Sequence, residues 1–299
     1  MTMIELIFLG TSSMVPTKER NQSGLFISYN THGILIDCGE GTQRQFRYAN
    51  IPLTKITKIL ISHWHGDHTL GLPGILQTLG ASEYTKKLEI YGPIGTKNHI
   101  DHLLKAFVMD RKIDFEVFEI SEGKFFENDE FHLESIKLNH GITTLGFNFI
   151  EKDKRKIIMS KIKKLGIPEG PLLGKLQSGK AIKIKDKKIE SEEVTKLIQG
   201  KKISIISDTT ICDNCYKLAK DADILISEAT YSSTLQEKGE EYNHMTSKQA
   251  ALIANKVNAK KLILTHFSAR YKSTYELNED ARNFFPETIC AYDLMRFTL

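Results

Sequence analysis

The chain has no long apolar run, few cysteines and almost no net charge, and each shortage closes off a class of function. Across 299 residues no stretch approaches the roughly 18 consecutive apolar residues that span a bilayer, so a membrane protein is not expected. The opening MTMIELIFLG has no basic flank and holds Glu5 inside its apolar stretch, unlike a secretory leader. With only 4 cysteines there is no disulfide framework to build, and the expected location is the reducing cytoplasm. The 41 basic and 37 acidic side chains leave a net charge of +4, which taken alone names no partner. What is present, 40% hydrophobic and 26% charged residues, belongs to a folded globular chain rather than a disordered one. Its length suits one elaborated domain or two smaller ones.

Short β-branched runs recur along the chain, and each stops at polar residues. Ile4 to Leu9 ends at Gly10-Thr11-Ser12-Ser13, Ile34 to Ile36 at Asp37, Ile59 to Ile61 at Ser62-His63, and Ile203 to Ile206 at Ser207-Asp208. Leu225-Ile226 and Leu262 to Leu264 end at Ser227-Glu228 and Thr265-His266. Such runs suit strands buried on both faces, and the residues just past them are where a layered α/β protein presents side chains to a cleft. Thr246-Ser247-Lys248-Gln249 has the capping-box form, and Ala250, Ile253, Ala254 and Val257 follow at helical spacing. A second helix is expected over Leu72 to Leu79.

Charge is distributed unevenly. Between Lys152 and Lys188 there are 13 basic and 3 acidic side chains, a balance of +10, so the rest of the chain sums to −6. The middle of this segment, residues 166–174, is rich in glycine and proline and reads as an exposed tip. The function expected of the segment is that of a basic arm gripping a polyanion.

His63-Trp64-His65-Gly66-Asp67-His68 carries the chemistry. Three histidines and an aspartate directly after an apolar run supply nitrogen and oxygen donors that zinc accepts, and without thiolates they suit a site open to water. In a turn, His63 and His65 can converge on one ion while Asp67 and His68 face another. Manganese and iron accept the same donors.

This H-x-H-x-D-H arrangement resembles that of the metallo-β-lactamase superfamily of zinc hydrolases. Later ligands of that family match His140, Asp208 and His266, each at the end of an apolar run. The resemblance is closer to the ribonuclease Z branch, which trims precursor tRNA on its 3′ side. Asp37-Cys38-Gly39-Glu40-Gly41-Thr42-Gln43-Arg44-Gln45 is similar to that branch's second strand and turn, and Pro16-Thr17-Lys18-Glu19-Arg20-Asn21 to its P-x-K-x-R-N loop. Ser227-Glu228-Ala229-Thr230 resembles its H-E-A-T loop, with serine in place of the histidine. His244-Met245-Thr246-Ser247 and His266-Phe267-Ser268-Ala269-Arg270-Tyr271 complete the likeness, which covers about residues 6–271.

The resemblance implies an α/β fold: a four-layer αββα sandwich forming a single domain over 1–299, with residues 152–188 inserted as a flexible tRNA-binding arm. It implies two Zn²⁺ per subunit, one held by His63, His65 and His140, the other by Asp67, His68 and His266, with Asp208 bridging. Asp67 is the implied general base, His244 the general acid and Glu228 its orienting partner. Lys18, Arg20 and Asn21 are expected to face the tRNA. The products would be a tRNA 3′-hydroxyl and a 5′-phosphorylated trailer. A homodimer is also implied, with the arm of one subunit reaching tRNA at the other's site. The competing readings are a small-molecule phosphodiesterase or thioesterase on the same fold, and a non-catalytic RNA-binding protein with structural zinc. Cys212-Asp213-Asn214-Cys215 has redox or zinc spacing but lacks a second pair, and is read as packing or helix-start residues.

Overall fold

Each of the six apolar runs is a strand, and most are buried on both faces. They are Ile4–Gly10, His32–Ile36, Lys58–Leu60, Lys202–Ile206, Ile224–Glu228 and Leu262–Thr265. The structure is a computed structural model that describes residues 3–108, 113–184 and 187–299. Its described residues divide into two compact units, one made of residues 1–126, 133–149 and 202–299, the other of 127–132 and 150–201.

Two sheets of seven strands organise the first unit. One runs in the order Arg296–Thr298, Ile4–Gly10, Gly24–Tyr29, His32–Ile36, Lys58–Leu60, Leu88–Gly92, Phe115–Glu119. The other runs Thr288–Cys290, Leu262–Thr265, Ile224–Glu228, Lys202–Ile206, Thr143–Glu151, Phe131–Asn139, Gly123–Glu127. In the first sheet pairing changes from antiparallel to parallel at His32–Ile36. In the second, Lys202–Ile206, Ile224–Glu228, Leu262–Thr265 and Thr288–Cys290 pair in parallel. Parallel strands end at one edge, and side chains just past those ends gather in one crevice.

The inner faces meet through apolar side chains. Phe8, Leu25 and Ile36 from the first sheet line the same cavity as Ile205 and Ile226 from the second, and Tyr29 meets Phe149 edge to face at 5.4 Å. Helices cover the outer faces. Phe46, Leu72, Ile75, Leu76 and Leu79 pack on Ile7, Phe26, Leu35 and Ile59. Leu218, Ala250, Ile253, Ala254 and Leu277 pack with Leu225, Leu262 and Leu264. Each wholly buried leucine or isoleucine here contributes about 1.5–3 kcal/mol. Both expected helices form: Leu72–Ala81, which opens with proline in its first turn, and Ser247–Lys256, which Thr246 and Gln249 close with a capping box.

The basic segment 152–188 falls within the second unit. Strand Lys154–Ile157 pairs with Thr195–Ile198, and Ile182–Ile184 with Lys187–Ile189. Two of the charged residues counted in the sequence, Lys185 and Asp186, lie outside the described residues. The unit has its own core of Ile162, Ile167, Leu176, Ile182, Ile189 and Val194. The stretch 166–174, expected as an exposed tip, buries Ile167 and enters the helix Pro171–Gln177, whose Leu176 is buried. Isoleucine and leucine spaced among the lysines explain this: the basic heads stay in water while every third or fourth side chain is apolar. No helix among the described residues is long and apolar enough to cross a membrane.

Candidate metal centre

Every sequence-predicted ligand lies within one crevice at the strand ends. His63 follows Lys58–Leu60, His65 caps the short helix Gly66–Thr69, and Asp67 and His68 sit in that helix. His140, Asp208 and His266 follow Phe131–Asn139, Lys202–Ile206 and Leu262–Thr265. The ligand atoms of His63, His65 and His140 lie within 4.8 Å of one another, and so do those of Asp67, His68, Asp208 and His266. All but His65 are buried.

Four of these histidines are held in the same way. His63 Nδ1 lies 2.9 Å from the Ser62 hydroxyl, which itself donates to Asp37 at 2.7 Å. His68 Nδ1 lies 2.7 Å from Asp37 Oδ2, and His140 Nδ1 lies 2.8 Å from the Asn243 carbonyl. His266 Nδ1 lies 3.0 Å from the Thr230 hydroxyl, whose proton goes to Glu228 at 2.7 Å. Each outer partner accepts, so each Nδ1 carries the proton and each Nε2 turns a lone pair inward.

The inward atoms are close. His63 Nε2 and His140 Nε2 are 3.0 and 3.2 Å from His65 Nδ1, and His68 Nε2 is 3.3 Å from His266 Nε2. Asp67 Oδ2 is 3.4 Å from both His68 and His266. Asp208 reaches both groups, with Oδ2 at 3.3, 3.6 and 3.8 Å from His68, His140 and His63, and Oδ1 at 3.3 Å from His266. Donors about 2.0–2.2 Å from a tetrahedral ion stand about 3.3–3.6 Å apart, so these spacings fit the edges of two coordination polyhedra sharing Asp208. Lone pairs facing each other at such distances repel unless a cation lies between them.

The electrostatics act on the members of the cluster differently. Burial, with the neighbouring imidazoles, pushes His63 well below the usual histidine range, so it stays neutral as a ligand must. Burial would raise Asp208, but His266 and His68 overcome it and hold the carboxyl well below its ordinary value. Burial likewise opposes ionisation of Asp67, and the hydrogen bonds of His266 and His68 prevail. His68 is pushed the other way: against burial, Asp208 and Asp37 lift it well above the usual range. The two carboxylates thus favour positive charge at the centre.

His244 stands at the mouth of the crevice. Its Nδ1 is 3.0 Å from Glu228 Oε1 and 3.9 Å from Asp208 Oδ2, and its ring is 4.8 Å from that of His140. Burial would lower it, but Glu228 and Asp208 raise it to about 9. Glu228 is itself buried and accepts from the backbone N–H groups of Thr209 and Thr230. A cleft of 340 Å³ in front is lined by His65, Asp67, His140, Asp208, Tyr242 and His244, among others.

The loop 16–21 turns differently. Lys18 is exposed, whereas the Arg20 guanidinium is buried and donates to the carbonyls of Ser268 and Tyr271 at 3.3 and 2.7 Å. Asn21 Nδ2 donates to the Glu40 carbonyl at 2.8 Å. Ser227, at the position of the missing histidine, is buried with its hydroxyl on the Glu228 carbonyl. The sequence pattern assigned no role to Asp37, Ser62 or Thr230, although each ends or follows an apolar run as the ligands do. Asp37 and His266 also share a left-handed backbone, φ 55° and 62°, the kind of strain concentrated at functional sites.

Comparison with known proteins follows the same line. A family model described as Anti-Pycsar protein Apyc1 matches residues 4–162. Over 303 aligned residues the chain is 39% identical to the ribonuclease Z of Bacillus cereus (strain B4264), covering 98% of this chain and 99% of that protein. The crystal structure of human tRNase Z, short form, is 28% identical and superposes with a TM-score of 0.71 over 98% of each chain. The metallo-β-lactamase fold protein YhfI from Bacillus subtilis, 17% identical, superposes with a TM-score of 0.73 over 100% of both chains, a likeness of fold alone. The first unit is therefore an α/β metallo-β-lactamase fold with two mixed sheets.

Proposed function

The chain belongs to the ribonuclease Z family, and through residues 4–162 to that described as Anti-Pycsar protein Apyc1; from this premise we propose that it is a two-zinc endoribonuclease cutting precursor tRNA on the 3′ side. The observation that carries the reading is the set of four histidines with Nδ1 bonded outward and Nε2 converging on two carboxylates. His63, His65 and His140 would hold one ion, Asp67, His68 and His266 the other, and Asp208 both. A bound zinc pair would offset negative charge on the phosphoryl oxygens and make water acidic enough to be deprotonated near neutral pH.

The chain's own groups handle the protons. Asp67, inside the crevice, takes the proton of the attacking water. His244, anchored through Nδ1 by Glu228, offers Nε2 to the leaving oxygen, the 3′-oxygen of the tRNA. Transfer in this sense leaves a 3′-hydroxyl on the tRNA and a 5′-phosphate on the trailer. In the loop 16–21, Lys18 supplies charge toward the acceptor end, while Arg20 and Asn21 fix the loop's course. Residues 152–188 are the tRNA-gripping arm, and in a homodimer the arm of one subunit serves the site of the other.

A small-molecule phosphodiesterase would need the metal centre but not the +10 segment. Incubating zinc-loaded protein with precursor tRNA and with a small chromogenic phosphodiester, then mapping the RNA ends, separates the two. Cleavage at one 3′ position with the stated ends is expected, and turnover of the small ester alone would overturn the proposal. Asp67→Ala should abolish cleavage while tRNA binding stays nearly intact; a variant cutting at the normal rate removes Asp67 from the mechanism.

A further inference from the structure

Cys212 and Cys215 take no part in this chemistry, yet their sulfurs lie 3.5 Å apart and all four cysteines of the chain are free thiols. A disulfide needs an S–S separation of about 2.05 Å, so side-chain rotation and a small backbone shift would close it. The two thiols are not equivalent. Cys215 is wholly buried in the apolar cluster with Leu218 and Ala219, whereas Cys212 is half-exposed at its edge. The hydrogen bond from Cys215 outweighs burial and lowers Cys212 to about 6, while the same bond raises Cys215. Cys38 is pushed up by burial, and Cys290 likewise to about 12, so the remaining thiols are inert by comparison.

The pair is also joined to the metal centre. Residues 208–212 lie in the connection between the strand Lys202–Ile206 and the helix Asp213–Ala219. Within it the Thr210 N–H donates to the Asn139 carbonyl at 2.8 Å, and Thr209 and Asn139 exchange two further bonds of 2.9 and 3.2 Å. Asn139 precedes His140. The Cys215 thiol itself lies 4.0 Å from the Thr210 carbonyl. A sulfur drawn toward its partner therefore pulls on the segment that positions Asp208 and His140.

We propose that Cys212 and Cys215 form a redox-active dithiol that low-molecular-weight disulfides of the glutathione class oxidise, and that the resulting bond weakens divalent-metal binding through the segment 208–212. The Cys212 thiolate attacks one sulfur of the small disulfide, forming a mixed disulfide and releasing one small thiolate. Cys215 then gives up its proton and attacks the Cys212 sulfur, expelling the second. Two electrons pass from the protein to the small disulfide, and both thiol protons end on the two small thiols released. The metal half of the proposal rests on Asp208 and His140 being ligands; the thiol half does not.

Metal-free protein incubated with excess glutathione disulfide should become lighter by two hydrogens, with one Cys212–Cys215 crosslinked peptide and no lasting adduct. Cys215→Ala should instead retain one glutathione on Cys212, and Cys212→Ser neither crosslink nor adduct. Zinc affinity, read by competition with a chromophoric chelator, should fall tenfold or more on oxidation and recover with dithiothreitol. A wild-type chain that keeps all its thiols, or holds glutathione without resolving it, overturns the dithiol. Equal zinc affinity of the two forms overturns the coupling, and zinc binding to neither form overturns the metal reading while the thiol chemistry stands.

Discussion

Replacing Asp37 by asparagine tests whether the metal centre is set by its outer hydrogen bonds. Asp37 accepts from the Ser62 N–H at 2.8 Å through Oδ1, and through Oδ2 from the Ser62 hydroxyl and His68 Nδ1, both at 2.7 Å. Through Ser62 it also governs His63. One carboxylate therefore holds two imidazoles through Nδ1 and leaves Nε2 of each facing the centre. An amide satisfies only part of this. If its oxygen keeps the Ser62 N–H, its NH₂ faces His68 Nδ1 and drives that proton to Nε2, the atom aimed at Asp67 and Asp208. If it flips, two buried donors face each other, which costs about 1–3 kcal/mol. Zinc affinity should then fall about 10–100-fold, the range for lost ligand-orienting bonds. Chelator competition measures this, with urea unfolding of the metal-free protein as a check that the variant folds. A folded Asp37→Asn chain binding zinc as tightly as the parent would refute the tautomer argument.

The other predictions are more local. Changing the exposed Lys163, Lys164, Lys175, Lys180 and Lys183 to glutamine spares the second unit's core and should flatten the salt dependence of tRNA binding. The log–log slope should drop by about 0.9 for each phosphate the arm no longer neutralises, and an unchanged slope would reassign the segment to solubility. Burial raises Asp293 from 3.8 to about 6 despite donors from Thr11, Asn21 and Gln45. An acid whose folded value is raised stabilises the fold below its unfolded value and loses that as pH climbs through the folded one. Urea midpoints should therefore fall between pH 4 and 7, by the equivalent of about 3 kcal/mol at most, and Asp293→Asn should abolish that slope. Gly39 admits no side chain, since a Cβ there would meet the Asp67 carbonyl at 2.3 Å and Gln22 Cβ at 2.5 Å. Gly39→Ala should displace Asp67 and depress zinc binding more than it depresses the melting temperature.

Much of the centre could be read from sequence because its candidate ligands obey a local rule. His63, His65, Asp67 and His68 lie within six residues, Asp208 and His266 each follow an apolar run that became a strand, and His140 follows the alternating strand Phe131–Asn139. Short β-branched runs ending in polar residues allow few other readings. Arg20 shows where that rule stops. The motif places it on a substrate-facing loop, but its guanidinium turns to the carbonyls of Ser268 and Tyr271, some 250 residues along the chain. The basic segment shows the same limit: its charge was legible, and its small core of isoleucine and leucine emerged only when the strands and helices closed on one another.

The sequence by itself determined the donor set, the strands that carry it and the separation of basic segment from acidic body, because these depend on residue type and near-neighbour spacing. Only the tertiary structure decided which nitrogen of each histidine faces inward and that His244 stands beside Glu228. Those facts rest on hydrogen bonds between residues far apart in the chain, such as His140 with the Asn243 carbonyl, 103 positions away. A polar side chain has many eligible partners in sequence, and packing of the sheets selects one.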